Sequence, residues 1–151
     1  MQTYLVTGGA GFIGSSVIRE LLKDKSNNIV MLDAITYSGR RENFSELTGD
    51  SSFTFVEGNI CDNQLCHQLI LDIRPDGIIN IAAETHVDRS IDSPDVFIQT
   101  NVVGTFELLE AAKRYINSKI SNQKQSFRFL HVSTDEVYGS LGETGLFTEK
   151  T

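Results

Sequence analysis

The chain has 151 residues, of which 40% are hydrophobic and 22% are charged, and its formal net charge is -7. This length and composition are typical of one globular domain with a substantial core. The negative charge argues against a nucleic-acid surface, because phosphate binding requires a basic face. No apolar run reaches membrane-spanning length and no leader pattern opens the chain, so we expect a cytoplasmic location. Cys61 and Cys66 match neither a zinc site nor a disulfide framework, and we expect reduced packing residues and no metal.

A glycine-rich turn at residues 8–14 follows the first apolar run and precedes an amphipathic helical pattern. A strand, a glycine turn and a helix in this order are how dinucleotide-binding folds begin. The glycines fit both G-x-x-G-x-x-G (Gly8, Gly11, Gly14) and G-x-G-x-x-G (Gly9, Gly11, Gly14), so the spacing leaves the subtype open. Asp33 ends the second apolar run, where an acidic residue accepts hydrogen bonds from an adenosine ribose.

Hydrophobic periodicity predicts alternating strands and helices along the chain. The predicted strands are 3–7, 29–33, 53–56, 77–82 and 127–132. The predicted helices are 12–25, one that Asp62 caps and Pro75 stops, and 94–116, with loops at 34–52, 118–126 and 134–151. This alternation predicts an α/β fold, a Rossmann-like doubly wound parallel sheet with strand order 3-2-1-4-5, truncated before later strands.

Polar side chains cluster after every predicted strand, where ligands bind in such a sheet. Asp135 and Glu136 form a carboxyl pair after strand five, beside Thr134, and an acid–base pair of this kind suits an elimination. His86 is equally well interpreted as a base or ligand and as a hydrogen-bonded structural residue. Arg89 is equally well interpreted as a phosphate ligand and as the ion-pair partner of Asp88 or Asp92. Asn59 is an acceptor for adenine or a turn residue. His67, His131 and Tyr138 are predicted to be structural.

Four stretches resemble the amino-terminal half of the dTDP-glucose 4,6-dehydratases, within the extended short-chain dehydrogenase/reductase superfamily. The first, residues 7–15, is shared across the superfamily, and the others are narrower. They are Thr36-Tyr37-Ser38-Gly39 with Glu42-Asn43, the run Ala82-Ala83-Glu84-Thr85-His86-Val87-Asp88-Arg89-Ser90, and the run Ser133-Thr134-Asp135-Glu136-Val137-Tyr138-Gly139. On this resemblance, residues 1–151 are an incomplete NAD-binding Rossmann domain without the substrate-binding carboxyl-terminal part.

The resemblance also implies the roles of individual residues. Phe12 and Ile13 would lie along the pyrophosphate, and Asn59 and Ile60 at the adenine. The adenosine ribose would lie among Asp33, Ala34, Ile35 and Thr36, and the nicotinamide half along Ala82, Ala83, Glu84, Thr85 and Thr100. Thr85 and Thr134 would touch the sugar nucleotide, Asp135 would protonate the departing C6 hydroxyl, and Glu136 would remove the C5 proton.

The implied reaction is the NAD-dependent dehydration of a nucleoside-diphosphate glucose, with dTDP-glucose expected, to the 4-keto-6-deoxy sugar. C4 is oxidised, water is lost across C5–C6, and the hydride returns to C6. The resembled family often has Asp where Asn59 stands, and its Tyr-x-x-x-Lys pair does not follow strand five here. We therefore expect residues 1–151 alone to lack turnover. The resemblance also implies a homodimer at full length, through helices that include the long one near 95–116.

Three alternatives stay open on the sequence. The first is a UDP-sugar 4,6-dehydratase, since nothing here separates dTDP from UDP. The second is a nucleotide-sugar epimerase, against which the Asp135-Glu136 pair argues. The third is a non-catalytic NAD-binding module. Asp33 predicts NAD rather than NADP because its charge repels a 2′-phosphate, although Arg40 and Arg41 are of the type that accommodates one.

Overall fold

The computed structural model describes residues 1–118 and 126–151. Five parallel strands form one sheet in the order β3-β2-β1-β4-β5, as the sequence predicted. The strands are Gln2–Thr7 (β1), Asn27–Asp33 (β2), Phe53–Glu57 (β3), Gly77–Asn80 (β4) and Arg128–His131 (β5). The α-helices are Phe12–Leu21 (α1), Asn63–Ile73 (α2), Val87–Asp92 (α3), Pro94–Phe97 (α4) and Thr105–Asn117 (α5).

Helices cover both faces of the sheet, and the strand residues alternate between the two sides. Leu5 packs into the cluster that α2 and α5 cover, whereas its neighbour Val6 packs into the cluster that α1 covers. In β2, Val30 and Leu32 belong to the first cluster and Met31 to the second. A sheet buried on both faces needs such near-continuous apolar strands. This packing leaves the ends of the strands as the places where polar groups gather.

Several element boundaries differ from the prediction. Helix α1 ends at Leu21 rather than near residue 25, because the Asn27 side chain donates to the Leu21 carbonyl (2.9 Å) and Asn27 already begins β2. Strand β4 ends at Asn80, and the following Ile81 and Ala82 run beside the glycine turn instead of pairing as strand. Residues 119–125 of the predicted loop 118–126 lie outside the part of the chain that the structure describes.

The long helix predicted from Pro94 is interrupted, and short elements lie in predicted loops. A π-helical segment at Ile98–Gly104 separates α4 from α5. The additional elements are α3, a 3₁₀ helix at Arg41–Leu47 and a 3₁₀ turn at Asp135–Tyr138. Such short polar elements carry no apolar periodicity, so periodicity cannot reveal them. The predicted cap is present, since the Asp62 carboxylate accepts from the Leu65 amide (2.9 Å) at the start of α2.

Candidate active site

One cavity of about 320 Å³ opens at the carboxyl edge of the sheet. Its walls come from the loops after β1, β2, β3 and β4 and from the π-helical segment. Of the predicted cofactor residues, all except Ile35 line it: Gly8, Gly11, Phe12, Ile13, Gly14, Asp33, Ala34, Thr36, Asn59, Ile60, Ala82, Ala83, Glu84, Thr85 and Thr100. The lining also includes residues for which no cofactor role was predicted: Leu32, Ser38, Gly39, Gly58, Ile81 and His86. Residues far apart in sequence therefore converge on one rim.

The glycine turn is packed so tightly that three of its positions, Gly8, Gly9 and Gly14, have no space for a side chain. Gly8 has φ of +70° and a Cβ there would lie 2.5 Å from the amide nitrogen of Ala82. A Cβ on Gly14 would overlap the Gly8 carbonyl oxygen and lie 2.7 Å from the Gly9 Cα. At Gly11 the nearest atom to a Cβ is 3.4 Å away. The turn thus brings the backbone of β1 against β4 and leaves the start of α1 facing the cavity.

Gly8, Gly11 and Gly14 line the cavity, whereas Gly9 packs against the side chains of Met31 and Ile18 beneath it. The structure thereby distinguishes the two spacings that the sequence left open. The first turn of α1 contains no acidic residue, and the first amides of a helix lack intrahelical acceptors. This helix end therefore presents free N–H groups and the positive end of a dipole to the cavity, which suits an anion.

The Asp33 carboxylate lies between two loops of the cavity wall. Its Oδ2 accepts from the Ala10 amide (2.9 Å) and its Oδ1 from the Ile35 amide (2.8 Å). Asp33 therefore ties the glycine turn to the loop after β2 while still lining the cavity. Ile35 has φ of +48° and packs with the α1-side cluster instead of lining the cavity, contrary to the expectation. Arg41 is paired with Glu57, and its guanidinium lies 5.4 Å from the centre of the Phe55 ring.

The loop after β4 is clamped from below by the π-helical segment. The Glu84 amide donates to Asn101 Oδ1 (2.8 Å), and Asn101 Nδ2 donates to the Glu84 carbonyl (2.9 Å). Glu84 is 8% exposed, and its Oε2 has no hydrogen-bond partner among the described residues. Single-turn π-helical insertions are frequent at functional sites. Here the segment places Asn101 under the loop and Thr100 in the cavity wall.

A buried polar network links the ends of β1, β4 and β5. Asn80 is fully buried; its Oδ1 accepts from the Thr7 hydroxyl (2.5 Å), and its Nδ2 lies 3.0 Å from His131 Nδ1. The same Thr7 hydroxyl accepts from the Ala82 amide (3.3 Å). This network fixes the glycine turn relative to the last strand. These roles of Thr7 and Asn80 were not predicted, because single polar residues inside apolar strands carry no spacing signal.

Thr134, Asp135 and Glu136 lie on an exposed 3₁₀ turn after β5 and do not line the cavity. The Thr134 hydroxyl donates to the Asp135 carboxylate and accepts from the Glu136 amide, both at 3.3 Å. Strand β5 pairs with β4, and the Val132 amide donates to the Asn80 carbonyl (3.0 Å). The turn thus follows the strand next to the loop that carries Thr85, on the same edge of the sheet.

Several residues left open by the sequence have defined surroundings. Asn59 lines the cavity while its Oδ1 accepts from the Cys61 amide (2.9 Å), so it has a turn role. The Arg89 guanidinium lies 3.7 Å from the centre of the Tyr37 ring. No ion pair between Arg89 and Asp88 or Asp92 occurs among the described residues.

The thiols do not form a reactive or metal-binding centre. Cys66 is buried in the core, and burial raises its pKa to about 12. The Cys61 thiol contacts the Gln99 carbonyl (3.2 Å), and burial raises its pKa too. Within residues 1–118 and 126–151, no three His, Cys, Asp or Glu side chains are grouped as metal ligands. The spacing Tyr-x-x-x-Lys occurs at Tyr115 and Lys119, but Tyr115 is buried against Phe127 in the core.

The sequence profile of the GDP-mannose 4,6 dehydratase family matches residues 5–151. The chain belongs to this family. The dTDP-glucose 4,6-dehydratase of Xanthomonas campestris pv. campestris (strain B100) is 52% identical to this chain over 151 residues, which is 100% of this chain and 43% of that protein. The resemblance predicted from the sequence motifs is therefore confirmed, and this chain spans less than half the length of such a relative.

Solved structures of dTDP-glucose 4,6-dehydratases share the fold. The enzyme from Bacillus anthracis str. Ames, in complex with NAD, is 39% identical with a TM-score of 0.84, over 100% of this chain and 43% of that one. The enzyme from Streptomyces venezuelae, also with NAD bound, is 40% identical with a TM-score of 0.80, over 95% of this chain and 43% of that one.

No helix of the described residues has both the length and the apolar character needed to cross a bilayer.

Proposed function

We propose that this chain is the dinucleotide-binding part of an NAD-dependent nucleoside-diphosphate-glucose 4,6-dehydratase that acts on dTDP-glucose in the cytoplasm. The observation that carries the proposal is the cavity itself, whose walls join the glycine turn, Asp33 and the loop at Thr85 on one edge of the sheet. The acidic turn at Asp135 and Glu136 follows the neighbouring strand. Binding groups and an acid–base pair on one edge are what an elimination on a nucleotide sugar requires.

The residues that line the cavity fit NAD. The glycine turn has no Cβ where a pyrophosphate would approach, and the amides of Phe12 and Ile13 would donate to it. The Asp33 carboxylate, already held by two amides, would accept from the adenosine ribose, and Arg41 is engaged by Glu57 rather than free for a 2′-phosphate. The nicotinamide half would lie along the loop from Ala82 to Thr85, beside Thr100. When bound, NAD supplies a hydride acceptor for C4 and a hydride donor for C6.

The acidic turn would perform the elimination. Once C4 is a ketone, the C5 proton becomes acidic, and the Glu136 carboxylate would remove it. Asp135 would give its proton to the departing C6 hydroxyl, so that water leaves. The Thr134 hydroxyl, which contacts both residues, would hold them and touch the sugar together with Thr85. Return of the hydride to C6 and of a proton to C5 would then give the 4-keto-6-deoxy sugar.

Three alternatives are tested by the same assay. A UDP-sugar dehydratase would use the same acidic turn, whereas a nucleotide-sugar epimerase or a non-catalytic NAD-binding module would not need it. The assay uses the extended protein, in which this segment is followed by the remaining length that the relatives have. We expect conversion of dTDP-glucose to the 4-keto-6-deoxy sugar after loading with NAD and not with NADP. Faster conversion of UDP-glucose, or formation of a C4 epimer, would contradict the proposal.

We also propose that the extended protein is a homodimer that pairs through the helical stretch from Ile98 to Leu109. Its solvent face carries Ile98, Val102, Phe106 and Leu109, which are between 44% and 57% exposed. Their spacing of four, four and three residues puts these side chains in one row. In a two-fold symmetric interface, a second copy that presents the same row would bury the apolar rows of both copies against each other.

A charge in the row is expected to separate the two copies. In Phe106→Glu, the two-fold axis brings the introduced carboxylates of both copies into one apolar contact, which is unfavourable. We expect sedimentation to change from a dimer to a monomer at micromolar concentration. Gln64→Glu adds the same charge at an exposed position on α2 and should remain dimeric. A dimeric Phe106→Glu protein would contradict this interface.

A further inference from the structure

Tyr37 connects the two loops that form opposite walls of the cavity. It lies in the loop after β2 between the lining residues Thr36 and Ser38, and its hydroxyl donates to the Thr85 carbonyl (2.7 Å) in the loop after β4. Its ring centre is 5.8 Å from that of His86, and the Arg89 guanidinium lies over the ring at 3.7 Å. We call these four residues, Tyr37, Thr85, His86 and Arg89, the Tyr37 clasp.

The clasp lies at the solvent side of the cavity. Tyr37 is 38% exposed, and Thr85, His86 and Arg89 are exposed as well. The other contacts of the two loops run elsewhere: Asp33 and Asn43 tie the first loop to Ala10, and Asn101 ties the second to the π-helical segment. The Tyr37 clasp therefore connects two loops that are otherwise anchored to different parts of the structure.

The backbone next to the clasp is strained. His86 has φ of +82°, a value that residues with a Cβ rarely adopt, so this backbone position is strained. The Thr85 carbonyl belongs to the peptide unit that joins Thr85 to His86, so the Tyr37 hydrogen bond holds the strained unit from outside. Breaking the clasp would let this loop relax away from the cavity.

We propose that the Tyr37 clasp retains the dinucleotide by keeping the two walls together across its middle. This inference rests on the proposed function, in which a dinucleotide extends from Asp33 to Thr85 and Thr100. The hydride taken from C4 has to be returned to C6 of the same sugar, so the dinucleotide must stay bound through each turnover. Tyr37 and Arg89 are thus positioning residues that set its residence time.

The test is the dissociation rate of NADH from the extended protein, followed by fluorescence after mixing with excess NAD. Tyr37→Phe removes one neutral hydrogen bond, and we expect dissociation to become about 3- to 10-fold faster. Arg89→Met removes the cation above the ring and keeps an apolar chain, and we expect it to be about 2- to 5-fold faster. Both should keep the wild-type melting temperature, which distinguishes retention from loss of structure.

Tyr4→Phe is the matched control, since its hydroxyl also makes a 2.7 Å hydrogen bond, to Gln2, at the opposite end of β1. We expect its dissociation rate to stay within twofold of wild type. Wild-type rates in both Tyr37→Phe and Arg89→Met would overturn the clasp and leave NAD binding intact. Failure of the wild-type protein to bind NADH at all would overturn the proposed function as well.

Discussion

Replacing Glu136 with glutamine in the extended protein is expected to lower kcat for dehydration about 10²- to 10⁴-fold, the usual contribution of a positioned general base. Glutamine keeps the size and the turn position but cannot accept the C5 proton. The 3₁₀ turn should persist, because its contacts run through the Glu136 amide and the Thr134 hydroxyl rather than through the Glu136 side chain. The measurement is the rate of 4-keto-6-deoxy sugar formation, together with incorporation of solvent deuterium at C5.

Asp135→Asn should lower kcat by a similar factor, since an amide cannot protonate the leaving hydroxyl. Glu143→Gln removes the same charge from an exposed position on the same carboxyl-terminal segment and should keep wild-type kcat. NAD affinity should stay unchanged in all three variants. Elimination that survives both the Asp135 and the Glu136 change, with NAD still bound, would refute the acid–base assignment.

Replacing Gly14 with alanine is expected to destabilise the chain by about 3 kcal/mol, as severe overpacking does. The direction of this change in the free energy of unfolding is informative, because replacing glycine with alanine inside a helix otherwise stabilises a protein by about 0.5–1 kcal/mol. Here the new methyl group would overlap the Gly8 carbonyl oxygen and approach the Gly9 Cα at 2.7 Å. Both neighbours are backbone atoms, so no side-chain movement relieves the contact. Urea unfolding followed by circular dichroism gives the free energy of unfolding.

Two further glycine variants distinguish the effect of steric overlap at Gly14 from the effect of replacing a glycine with alanine where a Cβ has space. A Cβ on Gly142 meets no atom within 4 Å, so Gly142→Ala should stay within about 0.5 kcal/mol of wild type. Gly11→Ala has 3.4 Å to its nearest atom and should fold, but its methyl group enters the cavity wall and should weaken NAD binding. A Gly14→Ala protein as stable as wild type would show that the glycine turn is looser than described.

The sheet could be predicted from the sequence because each strand carries its own signal. Buried parallel strands are near-continuous apolar runs, and short polar or glycine-rich stretches separate them from amphipathic helices. The glycine turn and Asp33 were recognisable for the same reason, since both sit at fixed distances from strand ends. The exceptions are α3, the π-helical segment and the two 3₁₀ elements, whose conformation depends on neighbours distant in sequence.

Contacts between loops were not predictable from spacing. Asn101 and Glu84 clamp each other across 17 positions, and Tyr37 reaches Thr85 across 48. Such pairs form only after the strands have brought their ends to one edge. The buried Asn80, which links β1 to β5, was hidden for the same reason inside an apolar strand.

By itself, the sequence determined the α/β class, the strand order and the set of residues at the strand ends, because local periodicity and chain connectivity dictate these features. The tertiary structure decided which glycines form the wall, that Ile35 turns away from the cavity, and that the acidic turn stands outside it on the adjacent strand. These outcomes depend on excluded volume and on hydrogen bonds between separate segments. Neither is encoded in the spacing of residues along one segment.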